Sequence, residues 1–302
     1  MNVAPSHPSK GLKEMRAKLP RSSIPSLIKW TGSKRSQVPA IVQLMPSYKR
    51  YIEPFVGGGA LLYAAAVPGS IASDIYRPLI ELWQLIQQSP LSVVDNYRVQ
   101  WQAVNDELDG LDMDNLPPNT TLPSYFYQVR DRFNREKSPL DLNFIMRTCV
   151  NGIVRFNGSG EFNNSFHLSR RGMDPARFEK VVSSWQHAIR GVEFICQDYS
   201  ETLALAVAGD FIYLDPPYAG NKQRYASDLD LDRFFANLDK LNVRGVKWAL
   251  SFDGSRGGKS LIHDVPKFLY KRHVLLSSGI SAVNKVLNGP IEAVKESLYL
   301  NY

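Results

Sequence analysis

The feature that most constrains the fold is a series of short, largely apolar segments separated by stretches with helical periodicity. Runs of four or five such residues are typical of strands that are buried on both faces of a parallel sheet. Strands that alternate with helices predict an α/β domain built around a mostly parallel sheet. The predicted strands are 51–55, 71–74, 194–197, 211–214 and 248–252, and the stretch before the last one places Leu231, Phe234, Phe235, Leu238 and Leu241 on one helical face.

Residues 90–190 interrupt this alternation. They begin with a loop rich in Pro, Asn and Asp, continue with aromatic and basic helical sequence, and end in a Gly- and Asn-rich basic segment. A helix then closes the region, with Asp174 as its N-cap and Pro175 as its first residue. We therefore predict an inserted, mainly helical domain at 90–190, a sheet domain formed by 26–89 and 191–302, and an N-terminal arm at 1–25.

Positive charge is concentrated in two parts of a chain whose net charge is only +7. Residues 1–50 hold ten lysines and arginines against one glutamate, and residues 130–190 hold eleven against six acids. Two basic segments on an otherwise acidic body favour a polyanionic partner such as nucleic acid, although solvated basic surfaces of this kind are also common. No apolar run is long enough to predict a membrane span. Two cysteines, Cys149 and Cys196, match neither a disulfide framework nor a metal site.

The first candidate site is the segment 53–60, where a predicted strand runs into three consecutive glycines. Glycines at the carboxyl end of a strand let the backbone approach a ligand closely. Asp74 ends the next predicted strand, 17 residues after Gly57, where an acid can accept hydrogen bonds from a ribose diol. The segment lacks both the dinucleotide fingerprint and the Gly-Lys-Ser/Thr of a P-loop, so the pattern favours a nucleoside ligand.

The second candidate site is Asp215-Pro216-Pro217-Tyr218, directly after a predicted strand. The two prolines have no N–H groups, so this turn presents acceptors, namely the Asp215 carboxylate and the Pro216 carbonyl. Two acceptors aimed at the hydrogens of an aromatic amine favour the positive charge that develops on its nitrogen during methyl transfer. Tyr218 is suited to stack on a base extruded from the duplex. A strand-terminating turn with a capping Asp is the alternative.

Two further segments are less specific when taken alone. Residues 30–34 form a turn with a cation, Lys34. In residues 151–167, glycine, asparagine, arginine and aromatic residues alternate, as in a loop that enters a DNA groove, where Arg reads guanine and Asn reads adenine. Taken alone, the second segment is better explained by a generic polar hairpin.

Together these four segments, in this order, resemble the DNA adenine methyltransferase (Dam) family, and within it the α-group. In that group a cofactor motif comes first, a target-recognition domain is inserted, and a DPPY motif follows. The resemblance covers about residues 27–302. The matching segments, with the family patterns in parentheses, are 29–34 (K-W-x-G-x-K), 53–59 (E-P-F-x-G-x-G), 147–163 (R-x-C-x-N-G-x-x-R-x-N-x-x-G-x-F-N, with Arg147 one position out of register), 215–218 (D-P-P-Y) and the closing strand 294–302.

The resemblance implies a Rossmann-like S-adenosylmethionine-dependent methyltransferase sheet with an inserted, mainly helical target-recognition domain. It implies S-adenosylmethionine as methyl donor and no metal. The implied site residues are Asp215, Pro216, Pro217 and Tyr218 for catalysis; Trp30, Lys34, Phe55, Gly57, Gly59, Asp74, Asp198 and Asp215 for the cofactor; and Asn151, Arg155, Asn157, Lys222 and Arg224 for DNA.

Three departures from the family pattern are visible. The basic arm 1–25 is additional, and residues 280–290 lack the arginines that are common near the family's C-terminus. Residues 162–167 read FNNSFH, where members that recognise GATC usually have F-N-V-P-F-G. The recognition sequence therefore stays open.

The expected function is methyl transfer to N6 of a flipped-out adenine in a specific short double-stranded DNA sequence. The alternatives are methylation of another planar amine, such as cytosine N4 or an RNA adenine, and a catalytically silent DNA-binding regulator. The expected partner is double-stranded DNA, with any cognate restriction endonuclease acting separately. We expect a monomer or weak dimer with no membrane association, located in a prokaryotic or phage-infected cytoplasm at the nucleoid.

Overall fold

The computed structural model describes residues 24–111, 121–217, 229–256, 259–260, 265–280 and 293–302. The strands form one sheet, in which β1 to β5 are parallel and β8 is antiparallel to both its neighbours. Its order is β3-β2-β1-β4-β5-β8-β7, with β6 paired to β5 alone. The strands are β1 (Arg50–Glu53), β2 (Ile71–Asp74), β3 (Glu193–Cys196), β4 (Asp210–Leu214), β5 (Lys247–Arg256), β6 (Lys259–Ser260), β7 (Arg272–Ile280) and β8 (Ala293–Leu300).

This topology confirms the predicted α/β, Rossmann-like fold. The chain builds the sheet outwards from β1 through β2 to β3, and then returns to place β4 on the other side of β1. Open α/β sheets bind their ligands in the crevice at such a switch point, outside the carboxyl ends of the strands. The crevice here lies beyond Glu53 of β1 and Leu214 of β4, so the segments 53–60 and 215–217 meet at one edge of the sheet.

A partly buried ion pair at the opposite edge of the sheet holds β1 against β4. The Arg50 guanidinium donates to both carboxylate oxygens of Asp210, at 2.6 and 3.1 Å. Bidentate pairing of this kind fixes geometry as well as charge. It sets the register in which Ile52 lies beside Ile212, and this register determines which residues leave the two strands side by side at the crevice.

The helices flank both faces of the sheet and form the region between β2 and β3. Several begin with proline in the first turn, where the missing N–H has no helical partner to lose. The predicted cap is confirmed, because the Asp174 side chain accepts from the Arg177 N–H at 3.0 Å. The helices are α1 (Val38–Leu44), α2 (Ala60–Ala65), α3 (Arg77–Gln88), α4 (Pro90–Asp109), α5 (Ser124–Glu136), α6 (Pro139–Thr148), α7 (Pro175–Ala188), α8 (Tyr199–Ala204) and α9 (Leu231–Val243), with 3₁₀ turns at Val150–Gly152 and Lys267–Leu269.

The helical region from α4 to α7 shares one apolar core with the sheet. The ring of Trp185 in α7 packs against Trp83 in α3, with their centroids 5.0 Å apart. Within the region, Asp141 of α6 accepts from Arg132 of α5 and from Gln100 of α4, which joins three helices. Because this core is continuous, separating the helical region from the sheet would expose large aromatic side chains to water. The predicted boundary at residue 90 falls between α3 and α4.

The predicted strands and the amphipathic helix are confirmed within two residues at their starts, and β5 extends further than predicted. The helical face differs in detail from expectation. Leu231 and Phe235 are only half-buried, because the inner face of α9 consists of Phe234, Leu238 and Leu241. β7 was not predicted, because the apolar run within this strand is short and is flanked by polar residues. Among the described helices, none is long and apolar enough to cross a membrane.

Candidate active site

A cavity of about 1060 Å³ opens at the switch point, outside the carboxyl ends of β1 and β4. Side chains from segments that are far apart in sequence line this cavity. Its wall includes the predicted cofactor residues and two of the predicted DNA-binding residues. These are Trp30, Lys34, Phe55, Gly57, Gly59, Asp74, Asp198 and Asp215, together with Arg155 and Asn157.

The glycine loop is held from two sides. Gly57 has φ +45°, and a Cβ built on it would lie 2.7 Å from Cδ1 of Trp30, so only glycine fits beneath that ring. On the other side, Asp74 accepts from the Gly57 N–H at 3.2 Å and from the Tyr76 N–H at 3.0 Å. Burial raises the pKa of Asp74, although these N–H groups oppose the rise. Asp74 therefore shapes the loop and still faces the cavity.

A second carboxylate lies beside an aromatic pair in the same cavity. Phe55 stacks on Tyr199 with a centroid separation of 5.3 Å. Next to them, Asp198 caps α8 through the Ser200 N–H and receives Nη2 of Arg233 at 2.7 Å. Burial acts to raise the pKa of Asp198, but the Ser200 and Arg233 contacts outweigh it and lower the pKa. An anionic acceptor next to stacked rings suits a purine that carries an exocyclic amine.

The wall fits a nucleoside cofactor with a charged side chain. The glycine loop and Asp74 line the cavity, and the hydroxyl of Tyr76 in the same wall is buried with no hydrogen-bond partner among the described groups. A buried hydroxyl left unpaired costs free energy until a ligand supplies a partner. The residues present therefore match S-adenosylmethionine, and the described part of the chain has no cluster of metal-binding residues.

Asp215 follows β4 and forms an ion pair with Lys34, whose Nζ lies 2.9 Å from Oδ1. The Lys34 side chain is only 5% exposed, and its ammonium also contacts Glu296 at 3.4 Å and the Gly32 carbonyl at 3.2 Å. Burial raises the pKa of Asp215, and Lys34 opposes this rise. Lys34, which the family resemblance assigns to the cofactor, lines the same cavity and places its ammonium against Asp215. Pro216 is buried and Pro217 half-buried, and the predicted Tyr218 lies outside the described residues.

The Gly- and Asn-rich segment forms a hairpin along the cavity, closed by a bridge between Phe156 and Phe162. Arg155 is exposed, and its Nε donates to Oδ1 of Asn163 at 2.8 Å. The Asn157 side-chain oxygen accepts from two N–H groups of the turn, so this side chain shapes the loop tip. Asn151 is exposed with φ +56° in the 3₁₀ turn, and Lys222 and Arg224 lie outside the described residues.

Glu53 is a residue of the cavity wall that the sequence did not single out. It is fully buried at the end of β1 and accepts from the Tyr51 hydroxyl at 2.7 Å. Burial raises the pKa of Glu53 to about 8, and the nearby Asp215 charge adds to the rise. Glu53 is therefore mostly protonated at neutral pH. Its position within a glycine motif gave no sign of this, because the burial depends on β4 and α2.

We expect Glu53→Gln to remove a pH dependence of stability. The unfolded carboxyl ionises near its ordinary pKa, so between about pH 5.5 and 8 the folded state binds the extra proton and wild-type stability falls as pH rises. Glutamine keeps the Tyr51 hydrogen bond without ionising. In urea unfolding, the variant should therefore gain roughly 2–3 kcal/mol relative to wild type between about pH 5.5 and 8.5. If the stabilities of wild type and variant changed with pH in parallel, the raised pKa assigned to Glu53 would be contradicted.

Comparison with known proteins agrees with this geometry. A family model described as D12 class N6 adenine-specific DNA methyltransferase matches residues 30–285. A DNA adenine methylase of Serratia marcescens is 31% identical over 198 residues, which is 64% of this chain and 67% of that protein. The type II methyltransferase M.MjaIII of Methanocaldococcus jannaschii is 29% identical over 254 residues, or 74% of this chain and 82% of that protein. The DNA N-6-adenine-methyltransferase of Escherichia phage P1 is 28% identical over 261 residues, 83% of this chain but only 33% of the phage protein.

Proposed function

The chain belongs to the D12 class of N6 adenine-specific DNA methyltransferases, and we propose that it methylates an adenine flipped out of a specific short sequence in double-stranded DNA. The observation that carries the proposal is the Asp215 carboxylate, which shares one cavity with the glycine loop and with the Arg155 hairpin. A base inside the duplex cannot reach such a cavity, so the target must leave the stack. S-adenosylmethionine is the methyl donor that the family implies.

Asp215 and the Pro216 carbonyl accept hydrogen bonds from the exocyclic amine of the target adenine. The lone pair of adenine N6 is delocalised into the ring, which makes the nitrogen a weak nucleophile. When bound, S-adenosylmethionine supplies an electrophilic methyl group on its sulfonium. Two acceptors that hold the hydrogens of N6 stabilise the positive charge that develops on this nitrogen, and they do so more strongly in the transition state than in the ground state. Pro216 and Pro217 contribute no N–H donor that would compete for the Asp215 carboxylate.

Cofactor binding is assigned to the other half of the cavity. Asp74 accepts the ribose hydroxyls, Asp198 accepts the adenine amine, and Phe55 packs against the ring. Trp30 closes over Gly57, while Gly59, at φ +61°, begins α2 and brings its backbone towards the ligand. These assignments rest on the contacts described above and on the chemistry of each group.

DNA recognition is assigned to the hairpin and its surroundings. Asn151, Arg155 and Asn157 are exposed on or beside the hairpin, where a groove can reach them. The contacts with Asn163 hold the Arg155 guanidinium in a fixed direction and leave most of its Nη donors available for a guanine edge. The basic arm 1–25, most of which lies outside the described residues, supplies positive charge for phosphate contacts.

We expect Arg155→Ala to relax the preference at one base pair and to leave the others strict. An arginine fork on guanine discriminates by about 1–3 kcal/mol, whereas a phosphate contact discriminates hardly at all. Methylation rates on duplexes that each carry one altered base pair separate the two roles. Arg98→Ala is the matched control, since that arginine is half-exposed on α4 and pairs with Asp95 away from the cavity wall.

Uniform loss across the duplex panel, with a salt dependence reduced by about one unit, would instead make Arg155 a phosphate contact.

The alternatives to the DNA substrate are tested directly. Tritiated S-adenosylmethionine is offered with unmethylated duplex DNA, with the same duplex already methylated at adenine N6, and with RNA of matched sequence. Label should enter only the first substrate, and equal labelling of the RNA would contradict the proposal.

We propose that the enzyme acts as a monomer or weak dimer and that any cognate restriction endonuclease is a separate protein. The exposed large apolar residues of the described part, such as Leu91, Val243 and Phe268, lie on different elements. Apolar residues exposed singly are ordinary on a monomer surface. Sedimentation at micromolar concentration, with and without duplex DNA, measures the oligomeric state.

A further inference from the structure

Lys34 lies between two carboxylates that come from opposite ends of the chain. Its Nζ is 2.9 Å from Asp215, which follows β4, and 3.4 Å from Glu296, in the middle of β8. Lys34 is 5% exposed, and both acids are 20% exposed. The three groups, here called the charge trio, form a partly buried cluster at the edge of the cavity.

The charge trio carries one negative charge in excess. Removing charges from water is costly, and a buried ion pair offsets that cost only when its charges balance and its hydrogen bonds are complete. Glu296 does not meet this standard, because its Oε2 contacts the ammonium at 3.4 Å without a well-formed hydrogen bond. A Lys34–Asp215 pair alone would be neutral. Among the described residues, the additional acid therefore gives the empty site an excess of negative charge, which a cationic ligand would offset.

We propose that Glu296 is a positioning residue for methyl transfer, which holds Lys34 and keeps the charge trio negative while Asp215 accepts the target amine. This inference rests on the proposed function. A neutral Lys34–Asp215 pair acts on a distant charge only as a dipole, whereas the trio acts as a net anion. The methyl group arrives from a cationic sulfonium and leaves positive charge on N6, so the excess negative charge favours both groups.

Three measurements on Glu296→Gln test the proposal. The side chain keeps its size and loses its charge, so the single-turnover rate of methyl transfer should fall on the order of ten-fold. Affinity for sinefungin, which carries an ammonium in place of the sulfonium, should fall. Affinity for S-adenosylhomocysteine, whose thioether sulfur is uncharged, should stay within about two-fold of wild type because the ligand has no positive charge at the sulfonium position. Glu296→Asp, which restores the charge, should recover most of the rate.

The most discriminating test uses a background in which Glu296→Gln is expected to raise the rate of methyl transfer rather than lower it. In a Lys34→Met background the ammonium between Asp215 and Glu296 is gone, and the charge of Glu296 then raises the pKa of Asp215 without the opposing effect of Lys34. Glu296→Gln should then raise the rate of the Lys34→Met enzyme, although the same change lowers the rate of wild type. If Lys34 and Glu296 acted independently, the rate losses of the two single variants would multiply. A further fall in the rate of the double variant would therefore overturn the proposal.

Ser297→Ala is the structural control. Ser297 is the next residue of β8, is buried, and points to the other face of the strand, so its loss reports only on packing. Its rate should stay near wild type. A wild-type rate in Glu296→Gln, or equal loss of sinefungin and S-adenosylhomocysteine affinity, would overturn the inference. Either result leaves the proposed function standing as long as the wild-type protein methylates adenine.

Discussion

Replacing Asp215 with alanine should abolish methyl transfer while the protein still binds duplex DNA. The carboxylate is the only charged acceptor that the segment 215–217 presents, and it acts on the amine rather than on phosphates. Loss of one preorganised group that stabilises transition-state charge costs about 10²–10³ in rate, and here the same group also orients the nucleophile, so we expect a loss of at least roughly 10³. Incorporation of tritiated methyl groups and gel-shift affinity are measured on the same preparation.

Asp215→Asn separates charge from shape. The amide fills the same space, but it accepts more weakly and turns its NH₂ group towards either Lys34 or the amine. It also removes one of the two carboxylates that contact Lys34 among the described residues and keeps Glu296. We expect activity close to that of the alanine variant, with unchanged DNA affinity. An Asp215→Ala enzyme with substantial activity would contradict the proposed mechanism, and loss of DNA binding in both variants would show that Asp215 shapes the DNA surface.

Asp74→Ala should weaken S-adenosylmethionine binding by roughly 1.5–3 kcal/mol, the usual contribution of hydrogen bonds to a charged group. The change removes the acceptor for the ribose and also frees the Gly57 N–H, which loosens the glycine loop beneath Trp30. Titration calorimetry measures the affinity, and circular dichroism confirms the fold. The matched control is Asp109→Ala, because Asp109 is an exposed partner of Arg171 outside the cavity wall. Equal affinity in wild type and Asp74→Ala would remove Asp74 from the site.

The sequence predicted the parts of the site that are local. The strand that runs into Gly57 and the Asp followed by two prolines both depend on residues close in sequence, because glycine allows backbone conformations that other residues avoid and proline fixes φ. The alternation of strands and helices then places both segments at one edge of a parallel sheet. Both segments line the cavity at the switch point.

The contacts among distant segments were not predictable in the same way. Lys34, Asp215 and Glu296 meet only because β4 lies beside β5, and β8 beside β5, in the finished sheet. A family pattern assigned Lys34 to the cofactor, and no periodicity indicates which acid an ammonium will contact. The raised pKa of Glu53 has the same origin, since burial arises from neighbours that are not adjacent in sequence. Arg233 beside Asp198 was missed for the same reason.

The central claim is that this cavity methylates N6 of adenine in DNA, and the modified nucleoside itself tests it most directly. Purified protein is incubated with S-adenosylmethionine and unmethylated duplex DNA, and the DNA is digested to nucleosides and analysed by mass spectrometry against authentic standards. Asp215→Ala serves as the control. We predict N6-methyldeoxyadenosine in the wild-type digest and its absence in the control. N4-methyldeoxycytidine in the wild-type digest, or the same nucleoside profile from wild type and Asp215→Ala, would contradict the claim.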